Sequence, residues 1–114
     1  MTPERIAGIE RRRTQRVLIR IPIRVSSKNG GKNPFVEDTT TVLVSSRGGL
    51  ILLAGDVQMK DEVHVTNLWT EQEQLCRINY LGQPFEGKRQ VGVEFPEPTP
   101  RFWRIDFPPL EAAS

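Results

Sequence analysis

From Val17 to Val25 every odd position is apolar (Val17, Ile19, Ile21, Ile23, Val25), and Arg20, Pro22 and Arg24 fall between them. Period-two alternation sets these five β-branched side chains on one face of an extended chain, so the stretch predicts a strand with one buried face. Leu18 breaks the pattern on the polar side, and Pro22, which has no N–H to donate, places the strand at an edge or a bulge. Immediately ahead stands Glu10-Arg11-Arg12-Arg13-Thr14-Gln15-Arg16. Any anion held by these guanidinium groups sits at the mouth of the strand, which points to a binding site on a small β-domain.

Further along, Phe35 to Val44 ends in the β-rich run Thr39-Thr40-Thr41-Val42-Leu43-Val44 and is separated from Leu50-Ile51-Leu52-Leu53 by Ser45-Ser46-Arg47-Gly48-Gly49. Two glycines between two apolar runs predict a hairpin tip with close backbone approach. Strands are also expected at 62–67, with Val63 and Val65 inward; at 73–81, with Cys76, Ile78 and Tyr80 inward; and at 90–95, with Val91, Val93 and Phe95 inward. Six short strands with turn residues between them, and no helical window of any length, predict an all-β fold, a small antiparallel barrel or sandwich. After the Pro96–Pro100 segment, Phe102, Trp103, Ile105 and Phe107 are too apolar to stay in water, so the tail is expected to fold back over a barrel opening, with a turn of helix at most. The organisation read from the sequence is a lead-in over 1–9, one domain over 10–109 and a frayed end over 110–114.

At 114 residues, 37% of them hydrophobic, the chain suffices for one core and not two. The net charge of +2 conceals an asymmetry, because seven arginines precede Ser26 against only Glu4 and Glu10. The basic character is local and implies an anionic partner at one end rather than a surface that binds nucleic acid throughout. Cys76 is the sole cysteine, no apolar run is long enough to span a bilayer, and the N-terminus carries no apolar signal core, so a cytoplasmic protein is expected.

Arg12 and Arg16 lie four apart, close enough in a turn to share one ligand. A guanidinium forks onto phosphate or the O6/N7 edge of guanine and stacks on a base. The run by itself equally suits a solvated face or a generic phosphate contact. His64 stands alone and with Cys76 supplies only two potential metal ligands, Cys76 alternates inward as a core thiol, and Ser45 and Ser46 have no base nearby; neither a metal site nor a catalytic triad is expected, and the chain reads as a non-enzyme.

Arg-x-x-x-Arg before a first strand, followed by a Ser-x-x-Gly turn between the second and third, resembles the PilZ domain family, whose pattern is RxxxR and then [D/N]xSxxG. Arg12 and Arg16 match the first motif, flanked by Arg11 and Arg13; Ser46 and Gly49 match the second; the alternating strand, Gly49-Leu50-Ile51-Leu52 and Val91-Gly92-Val93-Glu94-Phe95 extend the match over 10–95. The resemblance implies a six-stranded antiparallel barrel that binds cyclic di-GMP and signals to a partner protein, with Arg12 and Arg16 as clamps, Ser46 as a hydroxyl donor and Gly49 as the point of close approach. Where the family keeps Asp or Asn this chain has Val44, or Leu43 if the register moves to Ser45 and Gly48, and neither side chain accepts a hydrogen bond. In the first register Val44→Asp is expected to strengthen binding. The alternatives are a barrel of this fold that ignores nucleotides and serves as a protein-interaction module, and, with few exposed stacking aromatics in its favour, a nucleic-acid-binding barrel.

Overall fold

A computed structural model describes residues 16–27, 34–99 and 101–105. The seven strands are β1 (Val17–Leu18), β2 (Pro22–Ser27), β3 (Val36–Ser45), β4 (Gly48–Leu53), β5 (Glu62–Asn67), β6 (Gln72–Leu81) and β7 (Arg89–Glu94). Every pairing is antiparallel, and the order β3-β2-β5-β6-β7-β4 closes back onto β3. The fold is therefore all-β, a six-stranded barrel to which β1 adds a short seventh strand beside β3. Among the described residues there is no helix, and none long and apolar enough to cross a membrane.

The strand expected over 17–25 is broken in two. Alternation survives the break, since Ile21, Ile23 and Val25 are buried and Leu18 and Arg24 are outside. At the break Thr41 takes over the pairing: its buried hydroxyl donates to the Ile19 carbonyl (2.6 Å) and accepts from the Ile21 N–H (2.8 Å). Pro22 then opens β2, the position where its missing N–H costs least. Opposite β2, Arg24 faces Asp38 in register and forks onto its carboxylate at 2.6 and 3.1 Å, so each group favours the other's charged form: the Asp38 carboxyl is held below its usual range and Arg24 above its own. One of the seven N-terminal arginines is thereby engaged in register rather than in binding.

Two bulges interrupt the barrel, one in β3 between Thr41 and Leu43 and one in β6 between Ile78 and Tyr80. An extra residue reverses the inside–outside phase of everything beyond it. In β3 the inward residue is Thr41 before the bulge and Val44 after it; in β6 Cys76 and Ile78 are inward but Tyr80 is turned out and half exposed, contrary to the inward place its period predicts.

The core is filled by aliphatic side chains from all six barrel strands. It is closed at one end by the tail, as expected. Phe102 and Trp103 are buried and meet Phe95 and each other with ring centroids 4.8–6.0 Å apart. The Asn67 amide, buried at the end of β5, donates to the Phe102 carbonyl (2.9 Å), and the Trp103 indole N–H is shared between the carbonyls of Ser45 (3.0 Å) and Gly48 (3.1 Å). Phe107, the lead-in over 1–9 and the end over 110–114 lie outside the described residues.

Candidate functional site

The β3–β4 hairpin turns at Ser46-Arg47, as its glycines predict. Gly48 has φ +151°, and a Cβ there would collide with the Val93 carbonyl oxygen of β7. Glycine at 48 is what lets β4 lie against β7 directly behind the tip. Register then aligns two outward-facing rows across four strands. Leu43, Leu50, Gly92 and Tyr80 are successive partners in one, and Ser45, Gly48, Glu94 and Arg77 in the next. The first row is apolar and includes Gly92; the second is polar and includes Gly48. Four strands at about 4.8 Å spacing make a floor roughly 14 Å wide.

Over this floor opens a groove of about 520 Å³, within the usual range for a small-molecule site. Arg16 borders it at one end, one residue before Val17, which pairs with Val44. Arg47 stands over it from the hairpin tip, and Asn79 and Tyr80 form the far wall. The wall exists because of the β6 bulge: the Asn79 Oδ1 and the Tyr80 Cβ lie 2.5 and 2.9 Å from where a Cβ on residue 92 would sit, so the bulge and Gly92 require one another. Among the described residues neither Arg16 nor Arg47 has an ion-pair partner. Two uncompensated guanidinium groups beside an apolar, glycine-floored trough suit a ligand that is anionic and also carries a flat face.

Arg16, Gly49 and the hairpin meet at this groove. Ser46 is not at the groove. It is 7% exposed, its carbonyl accepts from the Thr99 N–H (2.7 Å), and Ser45 lines the trough in its place. Val44, fully buried, likewise points into the core, while Leu43 faces the groove. The motif that the structure presents outward is Leu43-x-Ser45-x-x-Gly48, one residue earlier than Val44-x-Ser46-x-x-Gly49. The β3 bulge causes the difference, since unbroken alternation from Thr41 would have turned Val44 and Ser46 out. Arg11, Arg12 and Arg13 lie outside the described residues.

Arg47, Leu50, Asn79, Tyr80 and Glu94 also border the groove and were not singled out from the sequence. Gly92 and Glu94 were legible as the outward positions of a strand whose inward ones are Val91 and Val93; nothing local marks that β7 lies beside β4. Elsewhere, burial pushes the Cys76 thiol up to about 12, which suppresses the thiolate, and His64 Nδ1 lies 2.8 Å from a Glu73 carboxylate oxygen on the neighbouring strand.

No protein-family model matches the chain, and no curated protein matches it. Among solved structures the chain is similar to the Bacillus subtilis inhibitor of motility, MotI/DgrA, with a TM-score of 0.60 over 77% of this chain and 44% of that one. The likeness is one of fold. Sequence identity is 15%, and this chain spans less than half the length of MotI/DgrA.

Proposed function

We propose that this chain is a cytoplasmic, PilZ-like sensor or adaptor that binds cyclic di-GMP and conveys its presence to a partner protein, with no reaction of its own. The observation that carries the reading is the meeting of Arg16 with the Ser45–Gly49 hairpin over a two-row groove. Arg16 and Arg47 supply charge for the phosphates, and Arg12 joins them through the Arg-x-x-x-Arg spacing. Leu43, Leu50 and Tyr80 give guanine faces an apolar surface. Ligand contacts made by residues 11–16 change the surface beside β1 that a partner meets, so the ligand acts through its preference for one arrangement of that segment.

Titration calorimetry of the purified chain with cyclic di-GMP tests the proposal. Saturable binding is expected, with Arg16→Ala lowering affinity tenfold or more. Absence of heat up to about 100 μM ligand, corresponding to roughly −5.5 kcal/mol, would refute it. Leu43 favours a second reading, in which the same fold is a protein-interaction module that has lost the nucleotide: an apolar side chain stands where the resembling family keeps an acceptor, in a row with Leu50 and a half-exposed Tyr80. That reading predicts the silent titration.

A further inference from the structure

Guanine offers two parallel donors, N1–H and N2–H, and Leu43 cannot accept from them. We infer that Glu94, on the opposite wall of the groove, is the acceptor that reads this edge and sets the site's preference for guanine; the inference rests on the reading of the groove as a cyclic di-GMP site. Glu94 is exposed at the end of β7, directly across Gly48 from Ser45. Four other carboxylates of the barrel are engaged. Asp38 holds Arg24, Glu73 meets His64, Glu37 caps the N–H groups of Ala54 and Gly55, and Asp61 accepts from the Gln58 N–H. Glu94 forms no ion pair with a described residue, although Arg77 is its register partner and Arg16 and Arg47 border the same groove.

Geometry supplies the pose. Between Leu50 and Tyr80 in the apolar row lies Gly92, and the space above it is filled by Asn79 and Tyr80, so a purine in the groove rests against Leu50 and Tyr80 with its edge toward the polar row. Glu94 is two residues along β7 from that row, about 7 Å, within the span of a purine resting on Leu50 and Tyr80. Asn79, on the same wall, carries a donor and an acceptor on one amide and so cannot favour guanine over adenine. A carboxylate offers two acceptors, matching guanine's two donors, whereas adenine presents an acceptor at N1 and is refused.

The sign of the effect separates this role from simple electrostatics. Removing a negative charge from beside two phosphates strengthens binding on Coulomb grounds, so a loss on removing it reports a lost base contact. The full chain, Glu94→Gln and Arg16→Ala are titrated with cyclic di-GMP and cyclic di-AMP, their folds checked by circular dichroism. Glu94→Gln is expected to bind cyclic di-GMP about tenfold more weakly and cyclic di-AMP no more weakly than before; Arg16→Ala is expected to weaken whichever ligand binds. A Glu94→Gln chain that binds cyclic di-GMP as tightly as the original or more tightly, or that loses both ligands equally, overturns the inference and leaves the site reading standing. An original chain that binds neither ligand overturns both.

Discussion

Leu43 and Val44 are neighbours of nearly the same chemistry, and a single extra residue in β3 decides which of them faces the groove. Val44 is fully buried beneath the hairpin, so Val44→Asp places a carboxylate in the core with no partner, an expected cost of about 3–5 kcal/mol and most of the stability of a domain this size. Leu43→Asp puts the same group at the groove, where water or a guanine edge satisfies it. The expected outcome is a urea midpoint far lower, or no folded state, for Val44→Asp, and a nearly unchanged midpoint with tighter cyclic di-GMP binding for Leu43→Asp. A Val44→Asp chain as stable as the original would show that the phase beyond the bulge is the other one. The sequence could not settle this, because Val42, Leu43 and Val44 are all apolar and either phase looks self-consistent. What it did carry at this scale were the residues whose chemistry is unambiguous: Arg16 at the mouth of the strand, glycine at 48 and 49, and the five alternating β-branched side chains.

At the scale of elements, strand positions were legible almost throughout, because period-two patterning and the glycine and proline turns mark them directly. Three interruptions were legible poorly or not at all: the break between β1 and β2, which Pro22 marked only as an edge or a bulge, and the bulges in β3 and β6. Each is a place where backbone pairing, not side-chain pattern, carries the information. They also share a purpose, since without the β6 bulge Tyr80 would stay inside and the groove would lose its far wall. Thr41 joins two of them, bridging the Ile19 carbonyl and the Ile21 N–H from the residue just before the β3 bulge. Thr41→Val keeps the shape and removes the hydroxyl, leaving a buried donor and an acceptor unmatched, for an expected loss of about 1–3 kcal/mol in urea unfolding. Thr41→Ser, which keeps the oxygen, is expected to lose less than half as much. A Thr41→Val chain as stable as the original would show that the bridge contributes nothing, and a larger loss in Thr41→Ser than in Thr41→Val would assign the effect to the methyl group.

For the whole molecule, closure of the barrel removes the open edges of β2 to β7 but leaves its end over the β3–β4 hairpin to be filled from elsewhere, and residues 101–105 fill it. The apolar count of the tail made this readable in advance. The consequence for function lay in the indole N–H, which ties the carbonyls on both sides of the hairpin tip and so holds the groove's floor from inside. Cutting the chain after Thr99 removes two buried rings, each typically worth about 3–5 kcal/mol when truncated, and strips Asn67 of its carbonyl partner. That sum rivals the total stability of a small domain, so the shortened chain is expected to lack a cooperative urea transition. Trp103→Phe is the gentler probe. It keeps a ring between Phe95 and Phe102 while removing the shared N–H and part of the indole's buried volume, with an expected cost of about 2–4 kcal/mol. If the indole positions the hairpin as well as filling the barrel, Trp103→Phe also weakens cyclic di-GMP at temperatures where the variant is fully folded. A loss of stability with undiminished affinity would confine Trp103 to packing and detach the groove's geometry from the tail.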